Sequence, residues 1–258
     1  MSKVIKNSSL MSVVLTSLIL LSLQASAKIN EEIEKTFIIS SQSDFNLSNI
    51  NGAVTINSWS KNKVKILASV TALTQQSRDD VSINMTQQGQ KVTVSTDYKE
   101  NSYRQNKQSA KVDYQVWLPV DANLSSIELI NGNLVIKNIA GNVEAQVVNG
   151  NISATGLRGN SNISSVNGSV DVLYDKAANN INDIEVETVN GSIKLFLPDH
   201  INADITADTM HGSINNAFAL TAKKNGFSGH NLRGQLGNGD GHINLDSVNG
   251  SINVLKSE

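Results

Sequence analysis

The chain of 258 residues has no cysteine, two prolines, 4 % aromatic residues and no excess of positive charge. Each shortage removes a class of explanation. Without cysteine there is neither a disulfide nor a lipid-anchoring thiol, so stability must come from packing and backbone hydrogen bonds. So few aromatics leave little material for a deep apolar pocket or a row of stacking platforms. The formal charge of −2 argues against nucleic acid as a partner, because phosphate recognition needs a dense basic surface. No Gly-x-Ser-x-Gly, His-Glu-x-x-His or phosphate-binding loop occurs, so the common catalytic signatures are missing as well.

What is present begins with an export signature. Lys3 and Lys6 precede an apolar run from Leu10 to Leu23, and Ala25-Ser26-Ala27 closes it, the layout of a cleaved secretory signal over residues 1–27. The run is short of the roughly 20 residues that span a bilayer, and serines and a threonine interrupt it. Cleavage before Lys28 is therefore expected, giving a periplasmic or extracellular protein with no transmembrane span. It removes two lysines and no acid, so Lys+Arg falls from 21 to 19 against 23 Asp+Glu and the charge moves from −2 to −4.

The mature chain is rich in Asn, Ser, Val and Ile, the composition of short strands joined by polar turns. From Asn131 onward glycines recur nine residues apart, at 132, 141, 150, 159 and 168. Apolar residues follow each at plus two, plus four and plus seven: Leu134, Ile136 and Ile139; Val143, Ala145 and Val148; Ile152, Ala154 and Leu157. The frame survives two insertions and returns at Gly191, Gly241 and Gly250, and it is already visible at Gly52 with Val54, Ile56 and Trp59. An Asn-Gly pair between alternating apolar residues ordinarily signals a hairpin. The step from plus four to plus seven is odd, however, so a straight strand cannot carry it and the chain must bend within every nine residues.

This pattern predicts an all-β fold: an elongated parallel β-solenoid with about 18 residues, two units, per coil. Asn131-Gly132, Asn149-Gly150 and Asn167-Gly168 then share one corner of successive coils, with Asn190-Gly191 and Asn249-Gly250 reusing it. Their amides are expected to form a ladder, the glycine to supply positive φ, and the residue at plus seven to point into a dry, packed interior. Residues 28–118 read as longer, partly antiparallel strands that cap the same sheets, 119–258 as the solenoid proper, and 28–258 as one elongated domain. The polar stretch between Tyr98 and Lys111 reads as an exposed loop, and Asn215 to Gly237 as a loop or distorted coil.

The elements "VWLPVDANL", "INGNLVIKNIAGNVEAQVVNGNISATGLRGN", "TVNGSIKLFLPDHINADITADTMHGSI" and "GNGDGHINLDSVNGSINV" follow one another in the order seen in a bacterial β-strand-repeat family of unknown function. Together they cover most of the mature chain, which resembles that family, whose members are often labelled "putative adhesins". The resemblance implies a β-solenoid-like exported domain and carries over no catalytic residue.

Three further features contain residue types that could carry chemistry. The segment Gly237 to Gly241 resembles one calcium-binding nonapeptide, but only Asp240 offers a carboxylate, which reads as a turn. His200, His211, His230 and His242 cluster late in the chain. Of these, His211, His230 and His242 could stack along one edge, yet none has a familiar metal spacing, so no metal or other cofactor is expected. Asp183, Glu185 and Glu187 form an outward acidic stripe on one strand, while the corresponding positions of neighbouring coils hold mostly Ser, Lys, Asn and Thr. A solvated strand face is expected there, with no catalytic site. The leading expectation is a non-enzymatic surface-interaction protein whose partner is an envelope protein, a glycan or an external surface. The alternatives are a polysaccharide-active β-helix enzyme and an accessory protein of envelope-stress signalling.

Overall fold

Apolar side chains at every second position dictate strands, and the described residues form twenty-one of them with a single short helix. The structure, a computed structural model, describes residues 28–40, 42–99, 110–178, 181–224 and 228–257. The expected signal over residues 1–27 and the centre of the polar stretch, residues 100–109, lie outside the described residues. In chain order the strands begin with β1 (Ile29–Ile38), β2 (Asp44–Asn51), β3 (Val54–Trp59) and β4 (Lys63–Ala72). The helix α1 (Gln75–Asp79) comes next, then β5 (Val81–Gln88), β6 (Lys91–Tyr98) and β7 (Lys111–Pro119). The repeat region supplies β8 (Asn123–Asn131), β9 (Leu134–Lys137), β10 (Val143–Asn149), β11 (Ile152–Leu157), β12 (Ser161–Asn167) and β13 (Val170–Tyr174). It continues with β14 (Asp183–Asn190), β15 (Ile193–Leu197), β16 (Ala203–His211) and β17 (Ile214–Asn216). The last strands are β18 (Ala222–Lys224), β19 (His230–Leu236), β20 (Gly241–Asn249) and β21 (Ile252–Lys256).

From β8 to β17 the strands go alternately to two sheets, one of ten strands and one of eleven. Each Asn-Gly corner carries the chain from the eleven-stranded sheet to the ten-stranded one. Parallel partners in the regular part sit 18 residues apart, as in Val143 with Ser161 and Ile152 with Val170. The inner faces of both sheets merge into a single apolar core that runs from Phe37 to Val254. The expected interior of Val, Ile, Leu and Ala is there, with two polar rungs added. Tyr114 of β7 shares a hydrogen bond with Thr96 of β6 at 2.6 Å, and Tyr174 of β13 shares one with Ser161 of β12 at 2.7 Å. Both link one sheet to the other. Ser161, a polar residue in an inward slot of the repeat, is therefore buried with a partner.

Stacking order departs from chain order at both ends. β14 pairs with β12 on one side and with β20 on the other, and β20 then pairs with β16. The final pair of strands, β20 and β21, thus lies between β14–β15 and β16–β17. In the same way β2 and β3 sit inside β6 and β7, against β8 and β9. Antiparallel strands cover the outer coils: β4 and β1 beyond β7, β5 beyond β6, and β19 and β18 beyond β16. Such additions turn the template-like ends of a parallel stack into irregular edges. The stretch from Asn215 to Gly237, which the sequence reads as a loop or distorted coil, contributes β18 and β19 to this cover.

The three-residue step has two different physical origins. In the ten-stranded sheet the chain bends at Asn138 (φ 58°), just after β9, and at Gly156 (φ 72°), near the end of β11 where the register shifts, and the plus-seven residues Ile139 and Leu157 are buried. In the eleven-stranded sheet the strand runs straight on. The plus-six residues Val147, Ser165, Thr188, Thr209 and Ser247 face inward, and the plus-seven residues face out. The expectation that every plus-seven side chain points into the core is corrected: Ile139 and Leu157 do, whereas Val148, Val166, Val189, Met210 and Val248 face outward and Trp59 is half-buried on the outer face.

Candidate functional site

The Asn-Gly corners form one edge of the stack. Asn131 donates from Nδ2 to Oδ1 of Asn51 at 3.1 Å. Asn149 donates to Asn131, Asn167 to Asn149, Asn190 to Asn167 and Asn249 to Asn190, each at 2.9 Å. His211 takes the next place, paired with Asn249. Beside the amides runs a column of glycines whose missing Cβ is required by stacking. A Cβ on Gly132 would lie 2.0 Å from the carbonyl oxygen of Gly52, one on Gly150 2.1 Å from Gly132, and one on Gly168 1.9 Å from Gly150. Gly191 and Gly250 are in the same position, 2.0 Å from Gly168 and 1.8 Å from Gly191. Only Gly52, Gly132 and Gly150 of this column also have positive φ, so close approach of neighbouring backbones, more than turn conformation, selects glycine here. Ser165, Thr188, Ser247 and Thr209 donate inward-facing hydroxyls to carbonyls of this column, at 2.8 to 3.2 Å.

On the outer face of the eleven-stranded sheet, next to these corners, lies an apolar stripe that, Ile130 apart, the nine-residue frame assigns to the interior. It comprises Ile130, Val148, Val166, Val189, Val248 and Met210, each two residues before a corner glycine. Met210 is 56 % exposed and Ile130 45 %. Two residues further back on each strand runs a polar row: Gln146, Ser164, Glu187, Asp246 and Asp208. Glu187 is the register partner of Asp246, and Asp246 of Asp208. Val166, Val189, Val248 and Met210 of the stripe, together with the row, line a groove of about 570 Å³ that Ser228 borders.

The acids of β14 do not stand alone as the sequence implied. Because β20 docks on β14 ahead of β16, Asp246 and Asp208 come from distant parts of the chain to continue the row that Glu187 begins. Burial, then repulsion from Glu185 and Asp246, raises the Glu187 carboxyl above its ordinary range. Burial is also the main cause of the upward shift at Asp246; the Asn244 amide, donating at 2.8 Å, opposes it and Asp208 adds to it. Carboxylates on adjacent strands, about 4.8 Å apart along the backbone, resist ionising together.

The other candidates are dispersed. His242 of β20 is the register partner of Asp183 and Asp204 on the outer face. His230 lies with Nδ1 2.7 Å from the Gly212 carbonyl oxygen, and Asp240 falls in the turn between β19 and β20. Among the described residues no group of three or more His, Asp or Glu side chains is arranged to hold a metal ion, and no helix is long and apolar enough to cross a membrane.

Comparison with known proteins places these features in context. A sequence model of the Toastrack DUF4097 family matches residues 120–255. No curated protein matches the chain. A solved structure described as a "putative cell adhesion protein" from Clostridium sporogenes aligns with 88 % of this chain and 100 % of its own, at 15 % identity and a TM-score of 0.49. One described as a "putative adhesin" from Bacteroides fragilis aligns with 88 % of this chain and 97 % of its own, at 11 % identity and a TM-score of 0.41.

Proposed function

The chain belongs to the Toastrack DUF4097 family, and from that premise we propose that it is an exported, non-enzymatic β-solenoid acting as an adhesin-like interaction protein of the cell envelope or surface. Residues 28–258 act as one elongated unit, with about 18 residues in each regular coil. The observation that carries the reading is the groove on the eleven-stranded sheet, where Val166, Val189, Val248 and Met210 lie alongside Glu187, Asp246 and Asp208. Exposed apolar side chains in a continuous stripe are characteristic of an interaction surface. The acids beside them select a partner that presents apolar groups next to positive charge. A repeated face of this kind suits several weak contacts at once better than capture of one small molecule. The test is retention of envelope proteins and glycans by the immobilised exported chain, against the Val189→Ser/Val248→Ser/Met210→Ser variant. Retention that the variant loses supports the reading, and retention no greater than that of an unrelated periplasmic protein sinks it.

One observation favours a second reading. Glu187 and Asp246, both with raised pKa, meet from adjacent coils in a groove, as the carboxyls of a polysaccharide-active β-helix enzyme would. That reading requires new reducing ends when the chain is incubated with acidic polysaccharides, and their disappearance in Glu187→Gln and Asp246→Asn.

A further inference from the structure

Trp59 and Trp117 are the chain's two tryptophans, and they stand together on the outer face of the other, ten-stranded sheet. Trp59 ends β3 and Trp117 lies on β7, its neighbour in the sheet. The flanking residues Val116 and Leu118 point into the core, so Trp117 faces outward. The ring centroids are 6.5 Å apart with 30° between planes. Ammonium groups lie over both indoles: Lys61 and Lys63 at 5.0 and 5.9 Å from the Trp59 ring, and Lys65 at 5.7 Å from the Trp117 ring. Lys137, exposed on β9, is the register partner of Asn57 on β3 and extends the basic patch by one strand. Lys65 is paired with Glu34 at 2.9 Å. Among the described residues Lys61, Lys63 and Lys137 have no carboxylate partner.

An indole under an ammonium group orders a long side chain that would otherwise lose rotamer freedom on binding. The patch therefore offers several pre-positioned cations around an aromatic surface, in a chain whose net charge is negative. We infer that it is a binding site for an acidic glycan, with sugar carboxylates held by Lys61, Lys63 and Lys137 and the apolar face of a sugar ring against the half-buried indoles. A membrane is the less suitable occupant. Trp59 donates from Nε1 to the Lys63 carbonyl oxygen at 2.8 Å, which ties the indole back onto the connection from β3 to β4, so it does not project as a bilayer anchor would. Ile38, 82 % exposed beside Lys63, is a single apolar neighbour. The site is on the opposite sheet from the groove, so the two readings fail in different variants.

Because both tryptophans are in the patch, intrinsic tryptophan emission of the full chain reports on this site alone. The expected result is a saturable emission change on titration with oligogalacturonate, weakened by added salt and absent with the fully methyl-esterified oligomer. Lys61→Ala/Lys63→Ala should weaken binding at least about fivefold, with far-ultraviolet circular dichroism and melting unchanged. Lys61→Arg/Lys63→Arg should keep it. The inference is overturned by no saturable change, by an equal response to the esterified oligomer, by unaltered binding in the alanine variant, or by a response to phosphatidylglycerol vesicles with none to the glycan.

Discussion

Asn149 donates its side-chain amide to the Asn131 side chain at 2.9 Å, while a Cβ added to the following Gly150 would stand 2.1 Å from the Gly132 carbonyl oxygen. The two halves of the Asn-Gly pair thus do different work. The asparagine makes an exposed bond between coils, and the glycine lets the coils approach at all. Gly150→Ala should therefore cost more than Asn149→Ala. Forcing a methyl group against packed backbone costs about 1–3 kcal/mol or more, whereas exposed amide bonds contribute at most about 0.5–1.5 kcal/mol each. Urea midpoints measured at an unchanged m-value check the order, and a Gly150→Ala midpoint equal to wild type would refute the close stacking.

Tyr174 is buried against Ser161, and burial drives its phenol well above the ordinary tyrosine range. Tyr174→Phe leaves the Ser161 hydroxyl without its partner and should cost about 1–3 kcal/mol. Adding Ser161→Ala removes the orphan and should recover part of that loss. A double variant no more stable than the single one would show that the rung contributes by shape and not by its hydrogen bond. Tyr114, raised to about 12 mainly by burial, should ionise later than an exposed tyrosine in an ultraviolet pH titration.

Glu187 and Asp246 have raised folded-state pKa values, which fixes the sign of their pH dependence. Each binds its proton more tightly in the folded chain than in the unfolded one, so their contribution to stability falls as pH climbs from the ordinary carboxylate range through the raised values, and stays low above. Asp246→Asn relieves two like-charge cross-strand neighbours, worth about 0.2–1 kcal/mol each. It should melt higher than wild type at neutral pH, and the gap should close near pH 4, about the ordinary aspartate pKa. Melting curves at several pH values decide the point; a gap that does not depend on pH would contradict it.

Val189→Ser/Val248→Ser/Met210→Ser should leave stability within about 0.5 kcal/mol per site, as substitutions on an exposed face do. The nearby core change Val186→Ala should be costly, because Val186 is fully buried. Thermal melts of the two variants separate an outer stripe from a core row.

Much of the fold can be read from the sequence because alternation and the glycine period are local signals. The strands and their mostly parallel stacking in two sheets follow from them. The meaning of plus seven does not, since Ile139 and Val148 occupy equal places in the frame. Only the kink at Asn138 turns the first inward, while the straight β10 turns the second outward. Ser165, Thr188, Thr209 and Ser247, three residues before their glycines, were the available clue: a polar residue recurring at plus six marks an inward hydroxyl with a fixed backbone partner. The acidic row was hidden for another reason. Asp246 reaches Glu187 through a strand order that no local pattern encodes. The tryptophan pair is similar, since Trp59 and Trp117 are brought together by the pairing of β3 with β7.

The most direct measurement of the proposed role is site-specific photo-crosslinking in cells that export the chain. A photoreactive residue replaces Val189 in the groove, or Asn253 on the outer face of the ten-stranded sheet. The account predicts a discrete adduct with an envelope component at position 189 and none at 253. No adduct at 189, or the same adduct at both positions, would contradict it.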